Sequence, residues 1–115
     1  MSDISEIDIR RLTDVVQSGY LNEAVTTVND HVIRVSVMTS EYSWHLHPNS
    51  DETFIVVEGT LVLETKDKIL HLEPGQIATV PANVAHRTRP AGTRSVNLTV
   101  EHQKTETVFL KSVLR

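Results

Sequence analysis

Four side chains in this sequence have the types and the spacing to bind a metal ion together: His45, His47, Glu52 and His86. Side chains alternate across a β-strand, so His45 and His47, two residues apart, share one face. A polar, turn-prone stretch at 48–51 follows, and Glu52 then opens an apolar run that is typical of a buried strand. An antiparallel return through this turn would bring the carboxylate close to the histidine pair. Imidazole and carboxylate ligands together suit Fe, Mn, Ni, Zn, Co or Cu.

Each of these residues also has a simpler interpretation. The histidine pair could face solvent on an edge strand, Glu52 could pair with a surface arginine, and His86 could be an ordinary loop histidine. Four such residues in compatible positions favour one shared site over four unrelated surface positions. We expect the remaining histidines, His31, His71 and His102, to be solvated.

The histidines and the glutamate belong to two spaced motifs. The first reads H-x-H, four residues, E, six residues, G and ends at Gly59; the second reads G, five residues, P, four residues, H and begins at Gly75. In these motifs the sequence resembles the cupin family, whose patterns are G-x5-H-x-H-x3/4-E-x6-G and G-x5-P-x-G-x2-H-x3-N. Thr39 and Asn83 stand in place of Gly, and Pro90 stands in place of Asn. Asn83 is the mildest departure, because Asn tolerates the left-handed backbone that Gly would adopt.

The resemblance implies both a fold and a site. It implies an all-β double-stranded β-helix, or jelly-roll barrel, with His45, His47, Glu52 and His86 as ligands of a divalent transition metal. The superfamily includes dioxygenases, isomerases, decarboxylases, lyases and non-enzymatic binders, so fold and ligands do not choose a reaction. The local sequence is similar to small prokaryotic single-domain cupins, which commonly form dimers.

Short apolar runs separated by turn residues predict many β-strands, typical of an antiparallel barrel or sandwich. The predicted strands are 32–38, 42–47, 53–57, 60–65, 69–73, 77–80, 86–89 and 94–101. Residues 108–110 would add a final strand or pack against a neighbour. We divide the chain into a leader at 1–30, which packs on the barrel or on a partner subunit, and a barrel at 31–115.

The leader has a weaker pattern. Alternation of Ile7 and Ile9 with charged residues predicts an edge strand there. A short helical turn is expected at 15–18, capped by Thr13 or Asp14 and ended by Gly19.

Alternation along the predicted strands indicates which side chains line the cavity around the metal site. Phe54 and Val56 share the face of Glu52, and we expect Ser36, Met38 and Thr88 to join them. Trp44, and Tyr42 two residues before it, are expected on the face opposite the histidines. The strand at 94–101 has one polar and one apolar face, and the sequence leaves open which of them meets the cavity.

Composition limits the classes of function. The chain has 115 residues, enough for one domain, and a formal net charge of −4 without a basic run, which argues against a nucleic-acid partner. There is no cysteine, so disulfides, thiolate metal sites and cysteine nucleophiles are excluded. No signal peptide or membrane-spanning run is visible, and we expect a cytoplasmic location.

Two hypotheses for function follow. The first is a small-molecule metalloenzyme of the oxygenase, isomerase or lyase type, in which Glu52 is the one candidate for a catalytic base. The second is a non-catalytic binding module for a small anionic or sugar-like ligand. Under either hypothesis the partners are a small molecule and a second copy of the chain, because spare apolar strand edges favour a homodimer.

Overall fold

A computed structural model describes residues 3–111 as an all-β jelly-roll barrel of two antiparallel sheets. In chain order the elements are α1 (Ile9–Asp14), β1 (Leu21–Val28), β2 (His31–Met38), β3 (Tyr42–Leu46), β4 (Glu52–Glu58), β5 (Leu61–Thr65), β6 (Ile69–Leu72), β7 (Ile77–Val80), β8 (His86–Pro90), β9 (Ser95–His102) and β10 (Val108–Phe109). The first sheet has the order β1-β2-β9-β4-β7, and the second has the order β10-β3-β8-β5-β6. Within the described residues, no helix has the length and apolar character needed to cross a bilayer.

The barrel strands begin and end within about one residue of the predicted positions, because turn residues mark most of their ends. The segment at 108–110 takes the first of its two predicted alternatives, since Val108–Phe109 pairs with β3. Asn83 has a φ of 68°, which confirms the left-handed backbone expected where the cupin pattern has Gly.

The predicted edge strand around Ile7 and Ile9 is wrong. Residues Ile9–Asp14 form a helix, and the side chain of Asp8 caps it by accepting a hydrogen bond from the backbone N–H of Arg11 at 3.2 Å. The helical turn expected at 15–18 therefore lies earlier in the chain. Helical spacing decides the outcome, because Ile9, Leu12 and Val16 fall on one side and pack against the first sheet.

Strand β1 was not predicted, and it lies within the segment that we assign to the leader. It forms a hairpin with β2, with Val28 paired to His31, and Asn29 in the turn has a φ of 52°. The Asn29-Asp30 pair is the sequence signal that could have indicated this hairpin. The first sheet therefore begins at Leu21.

Two apolar clusters stabilise the barrel. The larger one contains residues from both sheets: Met38, Phe54, Val56, Leu61, Leu63, Leu72 and Val80. The smaller one consists of Val35, Val37 and Val96, on which the side chains of α1 pack. Because side chains alternate along β2 and β9, the opposite face of these strands points into the barrel and is available for polar residues.

Arg94 binds both the helical segment and the first sheet. Its guanidinium forms an ion pair with Glu58 at 2.8 Å and donates hydrogen bonds to the backbone carbonyls of Thr13, at 2.9 Å, and Val16. The carbonyl of Thr13 also accepts a hydrogen bond from the backbone N–H of Val16, so Arg94 adds a second bond there and supplies a partner for the carbonyl of Val16.

We expect Gly59→Ala to lower the free energy of unfolding by about 1–3 kcal/mol. Gly59 has a φ of 71°, and an added Cβ would lie 2.5 Å from the carbonyl oxygen of Arg94. Urea unfolding of the two proteins would measure the difference.

Gly92→Ala is the matched control, because a Cβ at Gly92 meets nothing within 4 Å and Gly92 has no positive φ. We expect this variant to change stability by less than about 0.5 kcal/mol. Equal stabilities of the two variants would contradict the account of Gly59.

Candidate metal centre

The four candidate ligands come from both sheets. His45 lies on β3, His47 directly follows β3, and His86 opens β8, all in the second sheet. Glu52 is the first residue of β4 in the first sheet. His45 and His86 face each other across the β3–β8 pairing, which brings the two motifs together although 41 residues separate them in sequence.

The ligand atoms of these four residues form one buried cluster. All four atoms lie within 4.8 Å of one another. The Nε2 atoms of His47 and His86 lie 3.0 and 3.1 Å from the same carboxylate oxygen of Glu52. Each of the four residues is less than a tenth exposed, so the cluster is shielded from bulk water.

Backbone carbonyls fix the orientation of each imidazole. The Nδ1 atom of His45 donates to the carbonyl of Ser43 at 2.7 Å, and that of His86 donates to the carbonyl of Val84 at 2.9 Å. The Nδ1 atom of His47 donates to the carbonyl of Glu106 at 3.0 Å. A carbonyl only accepts, so Nδ1 carries a proton in each ring and Nε2 faces the cluster. This is the usual arrangement behind histidine ligands of a metal.

The environment favours a neutral His45 and an ionised Glu52. Burial lowers the pKa of His45 to about 4, so its imidazole is neutral at pH 7. Burial alone would raise the pKa of Glu52, but hydrogen bonds from His47 and His86 outweigh it and lower that pKa to about 2. At His47, burial alone would lower the pKa, but the hydrogen bond to Glu52 and the charge of that carboxylate outweigh it and raise the pKa. A bound metal would displace the proton that Nε2 of His47 donates to Glu52. A metal requires neutral imidazoles and an ionised carboxylate, so a divalent transition metal fits this donor set.

The cluster opens onto a cavity of about 510 Å³ inside the barrel. His45, His47 and Glu52 are part of its wall. Of the residues expected to line it, Ser36, Met38, Phe54 and Thr88 do so. Val56 instead packs in the larger apolar cluster and is 2% exposed.

The polar face of β9 meets the cavity. Asn97 and Thr99 belong to the cavity wall, whereas Val96 and Leu98 pack in the smaller apolar cluster beneath α1. The strand runs between β2 and β4, so these polar side chains lie beside the Glu52 strand. The pocket is therefore polar opposite the histidines.

The prediction that Tyr42 faces away from the histidines is wrong. Its ring lies 4.7 Å from that of His45 and forms part of the cavity wall. The β3–β8 pairing matches Tyr42 to Thr88 and His45 to His86, so β3 has one residue more than β8 between these pairs. Such an irregularity reverses the alternation of side chains, and the sequence gives no sign of it. Trp44 packs instead against the guanidinium of Arg87, 4.9 Å from the ring centre.

Glu101 is a further cavity residue that the sequence analysis did not single out. It faces Glu52 across the β4–β9 pairing and lies in the cavity wall. Its Oε2 atom is buried, and among the described residues it has no hydrogen-bond partner. Burial and the nearby charge of Glu52 both raise the pKa of Glu101.

Asp51 helps to position the loop before His86. Its carboxylate accepts a hydrogen bond from the backbone N–H of Ala82 at 2.9 Å. The backbone N–H of Asn83 donates to the carbonyl of His47 at 2.9 Å. These two bonds connect the loop before His86 to the segment between His47 and Glu52.

The metal-free protein should lose stability between about pH 6.5 and pH 4, partly because of His45. The unfolded chain takes up a proton near the ordinary pKa of 6.5, whereas the folded chain resists protonation until about pH 4. The unfolded state therefore binds more protons in this window, and stability falls as the pH falls. The substitution His45→Asn should reduce the change in the free energy of unfolding across this pH window by about 1–3 kcal/mol. Urea unfolding of chelator-treated protein at several pH values would measure it.

His71→Asn serves as the control, because His71 is exposed on β6. This variant should keep the pH dependence of the parent protein. A slope that His45→Asn leaves unchanged would rule out His45 as its source.

Comparison with known proteins agrees with this geometry. The Cupin_2 family, described as a cupin domain, matches residues 25–103. YdbB, an uncharacterized protein of Bacillus subtilis strain 168, is 43% identical over 101 residues, which cover 87% of this chain and 88% of YdbB.

Two solved structures show the same fold. The crystal structure of a cupin-2 domain containing protein from Shewanella frigidimarina has a TM-score of 0.77 at 24% identity and covers 84% of this chain and 94% of its own. Protein NMB1881 from Neisseria meningitidis has a TM-score of 0.74 at 21% identity and covers 86% of this chain and 100% of its own. By the family match, which spans more than half of its residues, this chain belongs to the cupin domain family.

Proposed function

We propose that this protein is a metal-dependent enzyme that acts on a small molecule bound in the barrel cavity. The observation that carries the proposal is the position of the four-residue cluster, which is buried although three of its members, His45, His47 and Glu52, form part of the wall of a cavity of about 510 Å³. Structural metal sites are closed on all sides by protein ligands, whereas catalytic sites keep a position open for substrate or water. A site that opens onto a cavity fits the second description.

The residues have distinct roles in this proposal. His45, His47, Glu52 and His86 would hold the metal, with Nε2 of each histidine as its ligand atom. A divalent transition metal supplies Lewis-acid or oxygen-activating chemistry when bound, which suits an isomerase, lyase or oxygenase. The chain's own contribution is to position the substrate and to move protons.

Two carboxylates could accept a proton from the substrate. Glu52, the candidate from the sequence, contacts both His47 and His86 and is better placed as a ligand. Glu101 lies in the cavity wall, and no described residue forms a hydrogen bond with its buried Oε2 atom. A general base must reach the proton it removes, and Glu101 satisfies that requirement for a molecule in the cavity.

Elemental analysis of the purified protein by plasma mass spectrometry tests the metal site. We expect about one transition-metal ion per chain, and we expect His47→Ala and His86→Ala each to lose most of it because each removes one of the four ligands. His71→Ala, which removes an exposed histidine elsewhere on the barrel, is the matched control and should retain the metal.

Absence of metal from the parent protein, even after reconstitution with Fe, Mn, Ni, Co, Cu or Zn, would overturn the metal centre. Equal metal content in His71→Ala and His47→Ala would show that the ion is bound at some other place.

Incubation with a small-molecule extract separates the enzyme from a binding module for an anionic or sugar-like ligand. An enzyme consumes a compound and forms a product, which untargeted mass spectrometry detects, and His86→Ala abolishes the conversion. A binding module enriches a compound and returns it unchanged on denaturation. Enrichment without conversion by the metal-loaded protein would favour the module.

The proposal includes a homodimer. Both sheets end in strands with exposed apolar side chains, Ile77 on β7 at 61% exposure and Ile69 on β6 at 52%. Unpaired edges of this kind promote aggregation unless a second copy covers them. Sedimentation analysis should show a species of two chains, and Ile77→Lys should shift it toward one chain if β7 lies in the contact. A single chain at all concentrations would contradict the dimer.

A further inference from the structure

Arg34 lies in the cavity wall with its charge uncompensated by an ion pair. Of the described residues that line the cavity, it is the one lysine or arginine. Its Nε atom donates to the side-chain oxygen of Asn22 at 3.0 Å, and the Asn22 amide in turn donates to the hydroxyl of Tyr20 at 3.3 Å. No ion pair between described residues includes Arg34.

Two other arginines of the barrel show the contrast. Arg87 pairs with Glu64 at 2.8 Å and with Glu41 at 3.5 Å, and Arg94 pairs with Glu58 at 2.8 Å. Arg34 is instead oriented by a neutral amide through Nε, which leaves the two terminal nitrogens of its guanidinium for another partner.

Strand register places Arg34 across the cavity floor from the metal cluster. One row of paired positions contains Arg34, Thr99 and Phe54, and the adjacent row contains Val32, Glu101 and Glu52. Neighbouring strands lie about 4.8 Å apart and neighbouring rows about 7 Å apart. The backbone of Arg34 is therefore roughly 12 Å from that of Glu52. The two side chains, with a small ligand between them, can span this distance.

The charges of the site select the type of ligand. Even with both Glu52 and Glu101 ionised, a divalent ion and Arg34 together leave the site with one positive charge in excess. A guanidinium matches a carboxylate through two parallel hydrogen bonds. A neutral sugar would leave it without that partner.

The cavity wall between Arg34 and the four-residue cluster carries polar groups that could bind ligand hydroxyls. The side-chain oxygen of Asn97 is buried and accepts no hydrogen bond from any described residue, and Asn97 itself is 1% exposed. Ser36, paired with Asn97 across β2 and β9, and Thr99 supply further polar atoms. A buried polar atom without a partner costs free energy, and a ligand hydroxyl could satisfy it.

We propose that the cavity binds a small hydroxycarboxylate of about three to six carbon atoms, with its carboxylate on the Arg34 guanidinium and its hydroxylated part toward the metal cluster. This inference rests on the proposed function, because it assumes a small molecule in the same cavity, and it specifies the chemical class of that molecule.

Calorimetric titration of the Zn-loaded protein tests the inference. The probes are straight-chain hydroxyacids from glycerate to gluconate and the polyols of equal carbon number, from glycerol to sorbitol, which replace the carboxylate by a neutral group. We expect at least one acid to bind tenfold or more tightly than its polyol. Arg34→Gln should weaken binding of that acid at least tenfold and leave the polyol unchanged, and Arg34→Lys should retain part of the affinity.

Arg89→Gln is the matched control, since Arg89 is exposed on β8 and its loss changes the net charge equally. The inference is overturned if no acid binds more tightly than its polyol, or if Arg34→Gln loses no more affinity than Arg89→Gln. Urea unfolding verifies that each variant folds.

Metal content separates this inference from the proposed function. Arg34→Gln should hold as much metal as the parent protein, because Arg34 is not among the four cluster residues. If the parent protein binds no metal, the proposed function fails, and the same titrations on metal-free protein still decide whether Arg34 selects carboxylates.

Discussion

The contact on which this structure depends joins the carboxylate of Glu52 to the imidazoles of His47 and His86. It bridges the two sheets, because Glu52 belongs to the first, His86 belongs to the second and His47 directly follows β3 of the second. A buried carboxylate without partners would cost several kcal/mol, so the strands that carry these residues must keep their register. Each histidine also forms a hydrogen bond from Nδ1 to a backbone carbonyl. These bonds turn Nε2 toward the carboxylate and leave the cluster suited to a cation.

Because the cavity wall is polar, apolar side chains must be buried elsewhere to stabilise the barrel. The strands β2 and β9 direct Ser36 and Asn97 into the cavity, so their neighbours Val35, Val37 and Val96 face outward. Those valines are fully buried beneath side chains of the α1 segment and of β1, and Arg94 binds the backbone of the segment after α1. The N-terminal helix therefore makes a polar cavity compatible with a stable sheet. Beside the cavity, an apolar cluster with residues from both sheets fills the rest of the interior, and its members Met38 and Phe54 form part of the cavity wall.

Most strands could be predicted because apolar runs and turn residues alternate regularly along the chain, and the candidate ligands could be predicted because their residue types and spacing are unusual. The failures have local causes. Alternation of Ile7 and Ile9 resembles a strand, but Asp8 caps a helix whose apolar residues pack at helical spacing. The extra residue in β3 reverses Tyr42, and strand pairing rather than sequence creates that irregularity. Polar β1 lacks the apolar run by which the other strands were identified.

The sequence by itself determined the family motifs, the order of the barrel strands and the four residues that could bind a metal, since these depend on residue type and on contacts between neighbours in the chain. Only the tertiary structure decided which face of β9 meets the cavity, because both faces satisfy the same alternation and the choice depends on what covers the other side. It also brought the carbonyl of Glu106 to His47, 59 residues away. The same holds for Arg34 and Glu101, which are ordinary charged residues in sequence. Their place beside the cluster follows from the pairing of β2, β9 and β4, which long-range packing sets.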